Sequence, residues 1–430
     1  PEASYSAGQE GSGQLSMSKS NHTLAGRTAI VSAFSLLAAA LAVGAILVYG
    51  DLSRQVEQAT QPTASQSAEA AKTEATRTSD VTNETTLVDV TPPTPWKMIS
   101  DDATLTRIGI GSCLHQGHPQ PIWEAIIGAK PDLFLMLGDN VYGDIRQGDP
   151  NELGRTYIAQ GRQPEFAAAR QAFPFLATWD DHDYGQNDGG AGYRFQPQAA
   201  DLFRQFWSAP EAKQPDGGIY YARTIGPEGR RVQFIMLDSR SFRSPLKRKS
   251  ASFPHWGKYE PDADPAKTML GAQQWDWLAR QLAAPADIRI IASSVQVLAN
   301  GHGFERWGNL PAQKVRLEKL IAESGATGVL FVSGDRHSGA LFKQPLTRAD
   351  GTAAAQPNLV EITASSLNRS YGPSKDTRLP PLFGEIYHQE NFGVIEIDWA
   401  ARNLVVGLRG RGGNVLEETT IPFAEIGISG

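Results

Sequence analysis

From about Asp101 onward the chain alternates short, nearly unbroken apolar runs with stretches of helical spacing. "LTRIGIGSC", "DLFLMLGDN", "FPFLATWDD", "RVQFIMLDSR", "IRIIASSVQVL" and "GVLFVSGDRH" have strand length and few polar interruptions, which predicts strands buried on both faces. Between them "QPIWEAIIGAK", "QAADLFRQFWSA", "GAQQWDWLARQLA" and "AQKVRLEKLIAESG" predict helices. Apolar strands alternating with helices predict an α/β layered fold with sheets covered on both faces. The final stretches "NLVEITASS", "FGVIEIDW" and "NLVVGLRG" carry little helix between them, so they predict a second, more antiparallel sheet packed on the first. Trp256, Trp275, Trp277 and Trp307 fall in helical or loop segments and read as core residues.

Upstream the pattern changes. "TAIVSAFSLLAAALAVGAILVY", from Thr28 to Tyr49, carries no charge, and ~20 apolar residues suffice to cross a bilayer as a helix. Lys19 and Arg27 precede it and Asp51 follows, which places the N-terminal side in the cytoplasm. A cleaved signal peptide would have a shorter apolar region and a small-residue cleavage site, and "ILVYGDLSRQ" fits that poorly. The expected layout is a disordered N-terminus over 1–27, a transmembrane signal anchor over 28–49 and a low-complexity linker over 50–95. If Met17 is the start, the residues before it are a tag or upstream remnant. The linker is rich in Thr, Ala, Ser, Glu and Gln, a composition that cannot offset the entropy of ordering a core. A catalytic domain then spans 96–430, outside the cytoplasm and tethered to the inner or plasma membrane by a single helix.

Five predicted strands end directly in polar groups: Cys113; Asp139 and Asn140; Asp181 and His182; Asp238 with Arg240; Asp335 with His337. In α/β sheets ligands bind beyond the carboxyl ends of the strands. One Asp after a strand is usually a turn former or a helix cap. Five ends that together carry Asp, Asn, His and the only Cys point to a shared centre instead. Crowding is severe in "WDDHDYGQND", because two carboxylates ~4 Å apart repel by roughly 4 kcal/mol at an effective dielectric near 20. Cations would relieve that repulsion. Asp139 in "LGDNVYGD" is suited to bridge two of them, "SGDRHSG" offers Asp335 and His337, and Asp181 or Asn187 could add oxygen ligands.

The pieces "GSC", "LGDNVYGD", "WDDHD…ND", "LDSRSFR" and "SGDRHSG", in that order between Ile108 and Ser338, resemble the calcineurin-like metallophosphoesterase superfamily. Within it they resemble the alkaline phosphatase D (PhoD-like) family. The superfamily opens with an Asp-x-His pair, whereas this chain has Ser112-Cys113, as that branch does. The resemblance implies a four-layer α/β/β/α sandwich of two packed mixed sheets flanked by helices. It implies that Cys113, Asp139, Tyr142, Asp335 and His337 hold Fe3+, and that Asp139 with Asp181, Asn187 or both binds Ca2+. Thiolate and phenolate suit a hard trivalent iron, and carboxylate and amide oxygens suit calcium; zinc or manganese would also match these ligand types. His182 would then sit beside the metals and protonate a leaving alkoxide, with Asp180 or Asp183 orienting it; the alternatives are a metal ligand or a loop-stiffening hydrogen bond. Asn140, Arg240 and Arg243 would contact substrate, with Arg240 also stabilising the transition state, unless the arginines hold the loop through buried carboxylates. His115 and His118 could line the pocket, and Ser293, Ser294 and Gln296 could touch it from "IASSVQVL".

Composition narrows this further. With 430 residues and 40% hydrophobic content the chain can bury a full core, and a net charge of −6 argues against a nucleic-acid partner bound through bulk charge. One cysteine excludes an internal disulfide and a zinc finger. The expected activity is hydrolysis of phosphate mono- or diesters by a metal-bound hydroxide. A phospholipase- or nuclease-type phosphodiesterase and a silent phosphate-sensing protein are the alternatives.

Overall fold

The computed structural model describes residues 86–372, 375–376 and 380–429. The expected N-terminus 1–27, membrane helix 28–49 and most of the linker lie outside these residues. Among the described residues no helix is long and apolar enough to cross a membrane.

Among the described residues thirteen strands form two mixed sheets. They are β1 (Arg107–Gly111), β2 (Leu133–Leu137), β3 (Phe175–Thr178), β4 (Tyr221–Ile225), β5 (Val232–Met236), β6 (Ile288–Ser293), β7 (Val329–Ser333), β8 (Gly339–Thr347), β9 (Ala353–Ala364), β10 (Leu382–Tyr387), β11 (Asn391–Asp398), β12 (Asn403–Gly410) and β13 (Val415–Pro422). One sheet has the order β13-β12-β11-β1-β2-β3 and the other β10-β8-β9-β7-β6-β5-β4. Strands β1, β2 and β3 run parallel, as do β5, β6, β7 and β9. The late strands therefore do not build a sheet of their own. Strand β11 pairs antiparallel with β1, and β12 and β13 follow it as an antiparallel meander that completes the first sheet, while β8 and β10 extend the second beside β9. Each sheet needs its edge hydrogen bonds met, and the tail of the chain meets them for both.

The helices are α1 (Ile122–Ala129), α2 (Asn151–Gly161), α3 (Pro164–Ala172), α4 (Asp181–Tyr184), α5 (Gln196–Trp207), α6 (Gly271–Ala283) and α7 (Pro311–Ser324). Pro311 opens α7 where its missing N–H costs nothing, and Gly325 at φ +74 closes it. Helices α2 and α3 have weak apolar stripes interrupted by glycine and proline, so periodicity alone passes over them; Leu153, Tyr157, Phe166 and Ala169 bury them nonetheless. Alternation along the second sheet divides the core. Phe234, Met236, Ile290, Ala292, Leu330 and Val332 join the cluster containing Ile110 and Leu135 of the first sheet. Ile235, Ile291, Val329 and Phe331 turn the other way, onto Trp275, Leu278, Leu317 and Ile321 of α6 and α7.

The folded unit starts before the expected boundary at Trp96. Val90 is fully buried, Val88 N–H donates to Asn151 Oδ1 at 2.8 Å, and Val90 N–H donates to Gln205 Oε1 at 3.2 Å. Trp96 then stacks on Trp207 with ring centroids 4.9 Å apart. Trp275 and Trp307 are core residues as expected, but Trp256 is 43% exposed.

Two glycines let the strand ends converge. At Gly334, just past β7, a Cβ would lie 2.6 Å from Ser112 Oγ and 3.0 Å from the Leu137 carbonyl, so only a bare backbone fits against the ends of β1 and β2. At Gly138, with φ +96, a Cβ would lie 2.5 Å from Asp180 Cβ. Gly138→Ala should therefore lower stability by ~2 kcal/mol or more in urea denaturation, combining left-handed strain with overpacking. Gly128→Ala in α1, where nothing lies within 4 Å of a Cβ, should instead raise it by ~0.5–1 kcal/mol.

Candidate metal centre

The loops beyond the parallel strands hold an uncommon backbone. Among the described residues eight non-glycine positions have positive φ, and five of them are Cys113 (58°), Asp139 (50°), Asp188 (54°), Asp335 (65°) and His337 (53°). A left-handed non-glycine residue costs of order 1–3 kcal/mol and persists only where its surroundings impose it. Here the strain turns side chains from separate strands toward one point.

Beyond β1, β2 and β7, candidate ligand atoms of Cys113, Asp139 and His337 lie within 4.8 Å of one another. Tyr142 Oη is 2.9 Å from Asp139 Oδ2 and 3.4 Å from His337 Nε2, so its single proton cannot serve both. His337 Nδ1 meets the Arg369 carbonyl, which can only accept, so Nδ1 carries the proton and the Nε2 lone pair faces the cluster. Burial holds this imidazole down at about 4, opposed only in part by that carbonyl, and so keeps it neutral. Burial pushes Cys113 up, and Asp139 adds to it; Tyr142 is raised by the same two causes in the same order. The Cys113 sulfur also lies 3.2 Å from Ser365 Oγ.

Carboxylates continue the cluster toward β3. Candidate ligand atoms of Asp139, Asp181 and His182 form a second group, those of Asp180, Asp181 and Asp335 a third, and those of Asp181, Asp188 and Glu305 a fourth. Burial, with neighbouring carboxylates adding to it, raises Asp139, Asp180 and Asp335 well above the usual range. Asp139 Oδ1, Asn140 Oδ1 and Asp181 Oδ1 are buried without a hydrogen-bond partner among the described residues. Buried acceptors of this kind are normally satisfied, so this oxygen-rich donor set fits bound cations. A neighbouring cation would also favour the thiolate of Cys113 and the phenolate of Tyr142.

His182 occupies the rim, its side chain 16% exposed. Its Nδ1 donates to Asp144 Oδ1 at 2.8 Å, and its ring lies 4.4 Å from that of Tyr142. Burial works against its charge, but Asp181, Asp139 and Asp144 outweigh burial and push it up to about 11. Asp144, not Asp180 or Asp183, orients the ring. Asp183 instead accepts the backbone N–H groups of Asn140 and Asp180, and Asp180 pairs with Arg240.

Several expected positions fall elsewhere. Arg240 is fully buried, its Nε 2.6 Å from Asp180 Oδ1 and its Nη1 2.7 Å from Glu305 Oε2. Arg243 Nη2 donates to the Asp188 and Gly189 carbonyls and lies 2.8 Å from Glu305 Oε1. Both arginines hold the loop through these buried partners; Arg240 is fully enclosed, whereas Arg243 also lines the cleft beside Asp188. Asn140 is also buried, with Nδ2 donating to the Thr178 carbonyl at 2.9 Å, so it faces the interior and not a substrate. Asn187 is exposed, and its neighbour Asp188 joins the carboxylates. Asp335 groups with Asp180 and Asp181, not with the Cys113 cluster. Ser293, Ser294 and Gln296 are buried in structural hydrogen bonds to Val295, Asp180 and Thr363. His115 stacks on His118 and on Tyr142, with ring centroids 4.3 and 5.1 Å apart. Asp144 lies within "LGDNVYGD", but its pairing with His182 is not legible there, and Glu305 and Arg369 escape motif reading altogether. Glu305 lies in a loop without regular spacing and Arg369 follows β9, so neither carries a strand-end signal.

The family model for PhoD-like phosphatases matches residues 109–402. Alkaline phosphatase D of Bacillus subtilis (strain 168) is 24% identical over 250 residues, covering 49% of this chain and 42% of that protein. The chain thus spans less than half the length of this curated relative. The solved structure of PhoD superposes with a TM-score of 0.58 at 17% identity, over 74% of this chain and 69% of that one. A purple acid phosphatase from yellow lupin (Lupinus luteus) seeds superposes with a TM-score of 0.51 at 11% identity, over 76% and 56%. These two likenesses show the shared fold.

The role of Arg240 is directly testable. Arg240→Met leaves Asp180 and Glu305 buried without their cation and should cost ~3–5 kcal/mol in urea denaturation. A loss below ~1 kcal/mol would contradict the structural role given to it here.

Proposed function

The chain belongs to the PhoD-like phosphatase family, and from that premise we propose that it is a metal-dependent phosphoesterase that hydrolyses phosphate mono- and diesters. The observation that carries this reading is the convergence of the Cys113–Asp139–His337 group with the carboxylates around Asp181, joined through Asp139. Cys113, Asp139, Tyr142 and His337 would hold one cation, Fe3+ by their thiolate and phenolate chemistry. Asp139, Asp181 and Asp335 would hold a second, Ca2+ by their oxygen ligands, with the Asn140 amide oxygen at hand. When bound, paired cations supply Lewis acidity to the attacking and leaving oxygens of a phosphoryl displacement.

The chain's own residues do the rest. The carbonyl of Arg369 keeps the His337 Nε2 lone pair aimed inward. Asp144 holds His182 by its Nδ1, and Asp181, Asp139 and Asp144 together favour its charged form at the rim against burial, so that it can give its Nε2 proton to the departing alkoxide. Nearby cations would draw its pKa down toward the working range, because positive charge disfavours the imidazolium. A cleft of about 590 Å³ begins at Asp188 and runs along Tyr193, Arg194, Arg248 and Tyr259. Its size favours esters with a large second substituent, hence diesters over small monoesters. The uncharged run Thr28–Tyr49 and the Thr- and Ser-rich segment after it support a membrane tether with the phosphoesterase unit outside the cytoplasm.

Elemental analysis of protein purified without chelators should find two metals per chain, and chelation should abolish bis-(p-nitrophenyl) phosphate turnover. His182→Ala should lower kcat by ~10²- to 10⁴-fold with metal content kept. Full turnover by that variant would remove the acid, and metal-loaded wild type that cleaves no ester would favour a phosphate sensor. Expressed from residue 17, the protein should pellet with membranes and resist carbonate extraction, whereas a chain beginning at Thr86 should remain in the supernatant.

A further inference from the structure

We propose that Arg369 binds the phosphoryl oxygens of the substrate, with Tyr371 holding its guanidinium over the metal centre; this rests on the phosphoesterase reading. An anionic ester needs positive charge that is not already neutralised by the protein. Arg240 and Arg243 are committed to Asp180 and Glu305, Lys258 to Asp188 at 2.7 Å and Arg336 to Asp376 at 2.6 Å. Arg369 differs. No carboxylate among the described residues pairs with it, and its guanidinium donates only to Tyr371 Oη, from Nε at 3.2 Å and Nη2 at 3.1 Å.

Its placement is fixed from both ends. The loop after β9 is stitched to the first metal-ligating strand, with Leu367 N–H donating to the Ser112 carbonyl at 3.0 Å and Asn368 Nδ2 to the His115 carbonyl at 3.0 Å. The Arg369 carbonyl accepts from His337, and its Cζ lies 4.1 Å from the centroid of the Tyr142 ring. Tyr371, 54% exposed, packs at a tilt of 45° against the His337 ring, with centroids 4.3 Å apart. The side chain is thus half-buried at the mouth, fixed against two candidate ligands, with N–H donors left over. A planar fork in that position matches two phosphoryl oxygens at once, which a lysine cannot do.

The test uses the full chain with inorganic phosphate as probe, read as competitive inhibition of diester turnover and as direct calorimetric binding, with metal content measured alongside. Arg369→Ala should raise the phosphate Ki and the substrate KM by ~10- to 100-fold, as expected for loss of a charge-assisted pair of hydrogen bonds. Arg369→Lys should recover part of that loss, and Tyr371→Phe should weaken binding only a few-fold. A phosphate Ki within twofold of wild type in Arg369→Ala would overturn the proposal. So would loss of metal in that variant, because Arg369 would then serve only to hold His337 and Tyr142. Should wild type cleave no ester yet bind phosphate in an Arg369-dependent way, the hydrolytic reading falls and the anion site stands.

Discussion

Asp180 and Glu305 close on Arg240 with all three side chains out of water. An ionised carboxylate buried alone would cost several kcal/mol, and its attraction to a guanidinium repays this only when the geometry is good. Here the pairing fixes three separate stretches against one another: the loop beyond β3, the loop beyond β5 and the irregular segment that leads into α7. Arg243 doubles the clamp by reaching the Asp188 and Gly189 carbonyls as well as Glu305. This holds Asp181 close to Asp139 and Asp335, because the loop that carries it cannot relax away from their like charge.

Strain and charge are concentrated in the same place for related reasons. Left-handed backbone re-aims side chains at Cys113, Asp139 and Asp335, each two residues past a strand end, and at His337, two residues before β8, which a helical or extended continuation could not do. Gly334 then removes a Cβ that would hold the two sheets apart, and Gly138 one that would part the loops after β2 and β3. The result is a donor set of soft sulfur, phenol and neutral imidazole on one side and carboxylates on the other, sharing Asp139. Positive charge from bound cations would relieve the raised carboxyls and the thiol together. Arg369 stands outside the buried ion pairs, at the mouth, with Tyr371 as its hydrogen-bond partner.

Much of this was legible in the chain. The strands that end in Cys113, Asp139, Asp181 and His337 announce themselves by apolar runs that stop abruptly at polar residues, and the helices α1, α5, α6 and α7 by their spacing. Helices α2 and α3 were not, since their buried faces are short and broken by glycine and proline. Nor was the start of the fold, because Val88 and Val90 are two apolar residues in a polar stretch whose value depends on Asn151 and Gln205 far along the chain.

The sequence by itself determined the alternation of strands and helices, the order of the polar strand ends and the types of donor they carry, since period and residue chemistry are local properties. Tertiary structure alone decided which arginine is locked in an ion pair and which is left for an anion, that Asp144 orients His182, that Asp188 joins the carboxylates, and that the last strands are shared between both sheets. Those outcomes turn on which groups meet across more than a hundred residues of chain and on what water is excluded from between them. A guanidinium has the same composition whether it is buried against Glu305 or held over Tyr142. Only the packing around it sets what it can do.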